Sequence, residues 1–134
     1  MANAFNVQHS QLEDIAVLKL EGFLDAHTAP NFEQAIQKEM EAKRIRIIID
    51  CEKLTYISSA GLGVFMSFIE ELRDQGGDIK ISGVIPKVRQ VFDILGFNSL
   101  FDILDTIPQA AAKFSETEPA EKGKGQASGK GQEG

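Results

Sequence analysis

Residues 45–65 have the sequence IRIIIDCEKLTYISSAGLGVF, in which a strand pattern runs into a helix pattern. Ile45 to Asp50 is a nearly continuous apolar run, which is typical of a strand covered on both faces of a sheet. A helix is predicted from Ser59 or Ala60 to about Gln75, where two glycines follow. Its apolar stripe consists of Leu62, Phe65, Met66, Ile69 and Leu72. A covered strand followed by an amphipathic helix predicts an α/β sheet.

The same alternation continues on both sides of this stretch. Upstream, strand patterns over Ala4–Gln8 and Ile15–Leu20 are joined by the hairpin connection SQLED. Thr28-Ala29-Pro30 then opens a helix, with Phe32, Ala35, Ile36 and Met40 on its apolar face. Downstream, the patterns predict a strand over Asp78–Ser82, a helix over Pro86–Leu95 (Val88, Val91, Phe92 and Leu95 inward), a strand over Leu100–Leu104 and a helix over Pro108–Phe114. We predict one α/β domain of order ββαβαβαβα, with a mostly parallel sheet and helices packed on it.

Length and composition exclude several classes of protein. The 134 residues are 43% hydrophobic, which suits one domain with a sizeable core. No stretch approaches the roughly 18 to 20 apolar residues of a membrane helix, and the N-terminus lacks the pattern of a secretory signal. A single cysteine excludes an internal disulfide and any zinc site of paired cysteines. We therefore expect a cytoplasmic protein without membrane contact.

The net charge of −6 disfavours direct nucleic-acid binding, which depends on clustered Lys and Arg. An acidic single domain with little unexplained apolar surface favours a monomer. The last 20 residues, SETEPAEKGKGQASGKGQEG, contain five glycines and no aromatic, Val, Leu or Ile residue. Such a segment cannot bury enough apolar surface to offset its ordering entropy. We predict a domain over 1–114 and a disordered, charged, Gly-rich tail over 115–134.

Enzyme signatures are absent from the sequence. There is no HExxH, GxSxG or GxxxxGK[ST] motif. Cys51 ends a buried strand, where it is expected to pack as a small apolar residue. Asp25 and Asp50 are predicted at the same end of the sheet, a placement that suits acid–base chemistry as well as ordinary turn capping. We expect no catalytic residue, no cofactor and no metal.

The most specific local feature is Tyr56 to Gly63, YISSAGLG, between the covered strand and the second helix. One serine can cap the helix, and glycines allow close packing of helix on sheet. The free N–H groups of the same helix end would also stabilise a phosphate. A nucleotide-binding loop is a competing hypothesis, but the loop has no lysine, and Lys53 is the nearest.

Three separated stretches resemble the STAS domain family, most closely its bacterial anti-sigma factor antagonists. Gly22-Phe23-Leu24-Asp25, followed by His27 to Pro30, resembles the Gly-Glu-Leu-Asp segment and the helix after it. Tyr56 to Gly63 resembles the Asp-Ser-Ser/Thr-Gly-Leu-Gly phosphorylation loop. Val91 to Phe97, VFDILGF, resembles the late Phe-Asp-x-x-Gly element. The resemblance covers about 4 to 112 in the correct order and implies the STAS fold.

Matched position by position, the resemblance implies that Ser59 is the phosphorylated serine. Ser58 stands where the family usually has Asp, so it is an alternative acceptor. Ala60 stands where Ser or Thr is usual, and Phe23 where Glu is usual. The implied partner-binding residues are Asp25, Thr28, Ser58, Ser59, Ala60 and Gly61.

The function implied by the resemblance is that of a phosphorylation-switched interaction module. The unphosphorylated form would bind an anti-sigma factor that is also a GHKL-type serine kinase, freeing a sigma factor for transcription. The kinase would phosphorylate Ser59 and break the complex, and a PP2C-type phosphatase would restore it. The alternative is a STAS scaffold or sensor subunit of another signalling or transport complex, not switched by phosphate.

Overall fold

The computed structural model describes residues 5–117 and has ten helices and strands over this range. In chain order they are β1 (Asn6–Leu12), β2 (Ile15–Leu24), α1 (Ala29–Glu41), β3 (Arg46–Ile57), α2 (Ser59–Asp74), β4 (Asp78–Ser82), α3 (Pro86–Ile94), α4 (Phe97–Leu100), β5 (Ile103–Leu104) and α5 (Ile107–Thr117). The strands form one sheet in the order β1-β2-β3-β4-β5. β1 is an edge strand antiparallel to β2, and all other neighbours are parallel. The predicted mostly parallel sheet with an N-terminal edge strand is confirmed.

The two faces of the sheet carry cores of different size. Inward-facing residues of β2, β3 and β4 pack with α1 to α4 around Phe65. The Phe65 ring lies 5.1 to 6.1 Å, centroid to centroid, from four other phenylalanines: Phe32, Phe92, Phe97 and Phe101. The alternate residues Ile15, Val17 and Ile48 meet Ala110 and Phe114 of α5 in a smaller cluster. Because strand side chains alternate between faces, α5 covers the face opposite α1 to α4.

The first hairpin differs from its prediction. β1 runs to Leu12, so the connection is the two-residue turn Glu13-Asp14 and not the five residues SQLED. β1 is exposed along nearly its whole length. A strand with water on most of its sides shows no apolar alternation, and its polar second half therefore has the composition of a loop.

Helix α4 is an additional element, placed where the predicted fifth strand was to begin. Gly96, with a φ of 78°, turns the chain after α3, and Phe97 then enters the phenylalanine cluster. As a result the strand is only Ile103–Leu104. The prediction that Leu95 and Met66 point inward is wrong, since both side chains are exposed.

The described chain ends inside the last helix. α5 continues to Thr117, so the first three residues of the predicted tail are helical. The rest of that tail, residues 118–134, and residues 1–4 lie outside the described part. Within residues 5–117 no helix has the length and apolar character needed to span a bilayer.

Candidate functional site

The serine that caps α2 is Ser58. Its backbone is extended, with φ −101° and ψ 174°, and its Oγ accepts a hydrogen bond from the N–H of Gly61 at 3.4 Å. Ser59 is the first residue of the helix, and its side chain is exposed. The predicted capping serine is therefore identified as Ser58, and the hydroxyl of Ser59 faces solvent.

Gly61 allows α2 to lie close to the sheet. A Cβ atom at this position would lie 2.7 Å from Leu24 Cγ and 3.1 Å from Ile57 Cγ1, well inside van der Waals contact. A Cβ on Gly63 would meet no atom within 4 Å. The predicted role of glycine in close helix–sheet packing therefore applies to Gly61 and not to Gly63.

The loop after β2 is a tight turn built on Asp25 and Thr28. Asp25 Oδ1 accepts hydrogen bonds from the N–H groups of His27 and Thr28, at 2.9 and 3.1 Å. Thr28 Oγ1 accepts from the N–H of Asp25 at 2.9 Å and donates to the carbonyl of Phe23 at 2.8 Å. The N–H of Thr28 is the largest influence lowering the pKa of Asp25. This carboxylate is therefore ionised at neutral pH.

A backbone hydrogen bond joins the loops that follow β2 and β3. The N–H of Ser58 donates to the carbonyl of Leu24 at 2.9 Å, so the turn of Asp25 and the start of α2 share one edge of the sheet. Among the six predicted partner-binding residues, four keep solvent exposure there: Asp25, Ser58, Ser59 and Ala60. Thr28 and Gly61 are buried, so they shape this surface from below.

Asp50 is not part of this surface. It is buried, and its Oδ1 accepts a hydrogen bond from Ser82 Oγ at 2.9 Å. It lines a separate pocket of about 410 Å³ with Glu52 and Arg89, between the N-termini of α3 and α5. In the β2–β3 register Asp50 lies opposite Lys19, six residues before Asp25 along the chain, so the two carboxylates do not share this end of the sheet.

The structure also shows where the other candidate residues, Cys51 and Lys53, lie. Cys51 is buried, which raises the pKa of its thiol and keeps it protonated. Lys53 lies on β3, before the loop that would have to cradle a phosphate. Within the described part of the chain, no three His, Cys, Asp or Glu side chains are grouped as metal ligands would be.

The sequence did not reveal that Phe23 and Tyr56 meet on the surface at this edge of the sheet. The rings of Phe23 and Tyr56 lie side by side, with centroids 5.5 Å apart, and both are exposed. In the sequence, Phe23 is only a departure from the family pattern and Tyr56 only the start of the loop. The strand register that pairs them could not be obtained from the sequence.

The sequence model of the STAS domain family matches residues 6–110. The chain belongs to the STAS domain family. This STAS protein is 30% identical over 109 residues to BtrV of Bordetella bronchiseptica, which is named as an anti-sigma factor antagonist, with 81% of this chain and 94% of BtrV covered. The match confirms the resemblance found in the three motifs.

Solved structures share the fold. An anti-sigma factor antagonist from Mycobacterium paratuberculosis superposes with a TM-score of 0.77 at 21% identity, covering 84% of this chain and 96% of that one. The Bacillus cell fate determinant SpoIIAA in its phosphorylated form gives a TM-score of 0.63 at 23% identity, covering 82% and 98%. At these identities the similarity establishes the architecture alone.

Proposed function

We propose that this STAS protein is an anti-sigma factor antagonist whose unphosphorylated form binds an anti-sigma factor with GHKL-type serine kinase activity and frees a sigma factor. The observation that carries the proposal is the exposed hydroxyl of Ser59, at the first position of α2 and on the same sheet edge as the ionised Asp25. The name of BtrV supports the antagonist role. The chain acts as an interaction module and not as an enzyme.

Ser59 is a better phosphate acceptor than Ser58. The Ser58 side chain is half-buried and its Oγ is engaged with the N–H of Gly61, so it is less accessible to a kinase than the exposed side chain of Ser59. The Ser59 side chain has no such engagement and faces solvent. A phosphate on Ser59 would lie at the positive end of a 16-residue helix, which tolerates an anion without unfolding.

The added charge provides the switch. A phosphate brings roughly −1.5 to −2 charges to an edge that already carries Asp25. A partner surface that fits the neutral hydroxyl would have to desolvate this anion or place it against its own acidic groups. A loss of about 2.7 kcal/mol in binding free energy lowers affinity a hundredfold, which is enough to break the complex. A PP2C-type phosphatase would restore binding.

The proposal is tested by phosphorylation in a lysate of the native host. The full chain and its Ser59→Ala and Ser58→Ala variants are incubated with ATP and Mg²⁺, and the products are examined by intact mass and peptide mapping. We expect one phosphate on the wild type and on Ser58→Ala, and none on Ser59→Ala. A phosphate that persists on Ser59→Ala and disappears from Ser58→Ala would show that Ser58 is the acceptor and would contradict the proposal.

A scaffold or sensor role without phosphate switching is the second candidate. The observation that favours it is that α2 is capped by the neutral Ser58, at the position where the STAS family usually has an aspartate. An absence of phosphate, when the host kinase is active on another substrate, would favour this candidate. Genes for a GHKL-type kinase and a PP2C phosphatase beside this one would favour the antagonist.

A further inference from the structure

Phe23 and Tyr56 form an exposed aromatic pair at the carboxyl ends of β2 and β3. They are partners in the strand register, and their relative exposures are 38% and 45%. Their immediate successors, Leu24 and Ile57, are buried in the main core. Because successive strand residues face opposite sides, the two rings point away from that core. The packing of the domain therefore gives no reason for two large aromatic side chains here.

The pair differs from the other exposed apolar side chains. Within residues 5–117 the others are aliphatic: Leu12, Met66, Ile94, Leu95 and Leu100. Phe and Tyr are both enriched in protein interfaces, and Tyr is among the residues that most often dominate the binding energy. Two adjacent rings also offer a large apolar contact area with few rotatable bonds, so little conformational entropy is lost on docking.

The backbone beneath the pair is fixed by the same contacts that build the edge carrying Asp25 and Ser59, called here the switch edge. The hydroxyl of Thr28 donates to the carbonyl of Phe23, and the N–H of Ser58 donates to the carbonyl of Leu24. Asp25 lies two residues after Phe23, and Ser59 lies three residues after Tyr56. The aromatic pair and the switch edge therefore lie at the same end of the sheet, joined by the backbone that runs from Phe23 to Asp25 and from Tyr56 to Ser59.

We propose that Phe23 and Tyr56 are the apolar anchor by which this chain binds its anti-sigma partner, inserting together into an apolar recess on that protein. The inference rests on the proposed function and adds the chemistry of the contact. The charged residues that precede the pair in the two strands have both signs: Glu21 lies opposite Lys53 in the register, and Glu52 precedes Lys53. No single charge therefore dominates this part of the strands. The anchor supplies affinity through apolar burial, and Ser59 controls whether the surface can dock.

The test uses the purified GHKL-type serine kinases encoded by the source organism as probes. Dissociation constants are measured by titration calorimetry for the full wild-type chain, Phe23→Ala and Tyr56→Ala. Leu12→Ala is the matched control, because Leu12 is 40% exposed but is the last residue of β1, paired with Ile15 at the start of β2 and so distant from the carboxyl end of that strand. We expect each aromatic variant to bind at least about tenfold more weakly and Leu12→Ala to bind like wild type.

The salt dependence of the lost affinity distinguishes apolar burial of the two rings from stacking of a cationic side chain on them. The comparison is repeated at about 0.1 M and about 1 M NaCl, where the Debye length falls from about 10 to about 3 Å. An apolar anchor keeps its fold-loss at high salt. A loss that vanishes at high salt would show that a cationic side chain stacks on the rings, and would overturn the recess.

The outcomes also separate this inference from the proposed function. A kinase that binds wild type and both aromatic variants equally well would overturn the anchor and leave the antagonist role intact. If none of the kinases binds the wild-type chain, both the antagonist role and the anchor are contradicted. Phe23→Leu and Tyr56→Leu provide folded alternatives should an alanine variant lower the melting temperature, and each is expected to bind more tightly than the alanine.

Discussion

Ser58 and Ser59 are adjacent in sequence and have different physical roles. The hydroxyl of Ser58 is directed back to the helix it precedes, where it satisfies the N–H of Gly61. The hydroxyl of Ser59 lies outside the cap and faces solvent. The same division holds in the neighbouring turn, where buried Thr28 fixes the backbone and Asp25 presents its charge. At the scale of single residues, polar groups that fix the backbone therefore alternate with polar groups that face solvent along the same edge.

Replacing Ser58 tests its role as a cap. Ser58→Ala is expected to lower the free energy of unfolding by about 0.5–2 kcal/mol, because an orphan N–H of α2 loses its acceptor. Ser58→Asp keeps an acceptor and should stay close to wild type. Ser59→Ala, at an exposed position, should remain within about 0.5 kcal/mol. Urea denaturation measures all three, and equal losses for both alanine variants would contradict the assignment of the cap.

Helix α2 is positioned by its contact with the ends of β2 and β3. Gly61 allows a close approach, since any side chain there would meet Leu24 and Ile57. Gly63, two residues later, faces solvent and touches nothing that a methyl group would displace. The height of α2 above the sheet determines where Ser59 lies relative to Asp25. At the scale of the element, one glycine therefore sets the geometry of the proposed switch.

The two glycines of α2 form a matched pair of variants. Gly63→Ala should stabilise the protein by about 0.5–1 kcal/mol, because glycine is the poorer helix former. Gly61→Ala gains the same propensity but adds overpacking of about 1–3 kcal/mol against Leu24, so we expect it to be the less stable of the two by that amount. Thermal unfolding monitored by circular dichroism gives both values. Equal stability of the two variants would show that α2 does not rest on Leu24.

At the scale of the whole molecule, ionic contacts of two buried charged side chains, Lys80 and Glu39, link peripheral elements to the sheet. Lys80 is fully buried on β4 and donates to Asp78 and Asp102 at 3.0 and 2.8 Å, with its ammonium 4.8 Å from the ring centroid of Phe114. Glu39 of α1 accepts from Arg44 and from His9 of the edge strand β1. The first group links β4, the segment before β5 and α5, and the second links α1 to β1.

These contacts predict how stability depends on pH. The hydrogen bond from Lys80 lowers the pKa of Asp102 below its usual 3.8. Burial raises the pKa of Glu39, but the bonds from Arg44 and His9 outweigh it, so this pKa lies below its usual 4.5. Both pKa values are lower in the folded than in the unfolded chain. Their stabilisation is therefore complete above pH 4.5 and is lost as the pH falls through the folded-state values.

Urea denaturation between neutral pH and pH 3 measures this loss. We expect the free energy of unfolding to fall steeply at the acid end, and Asp102→Asn to be destabilised at neutral pH but to approach wild type in acid. Asp74→Asn, at the exposed end of α2, is the control and should run parallel to wild type. A constant difference between Asp102→Asn and wild type at every pH would contradict the linkage.

The sequence determined by itself those features that depend on neighbours along the chain. The apolar run of β3, the spacing of Phe32 and Phe65 and the glycines after α2 fix where strands and helices form, because burial period and turn chemistry are local properties. These signals were sufficient for the α/β order and the parallel sheet. They failed at the second half of β1, where exposure removes the alternation, and at α4, where Phe97 packs in the phenylalanine cluster.

Tertiary structure alone decided which residues meet. Two shifts in the β2–β3 register place Phe23 opposite Tyr56, whereas the register at Lys19 and Asp50, continued unshifted, would have placed it opposite Leu54. The bond from Ser58 to Leu24 joins two loops more than thirty residues apart and brings Asp25 to the edge that carries Ser59. Register, loop contacts and the height of α2 arise from packing between distant segments. No local pattern encodes them, so the sequence supplied the candidate serines and the fold selected Ser59 for the exposed surface.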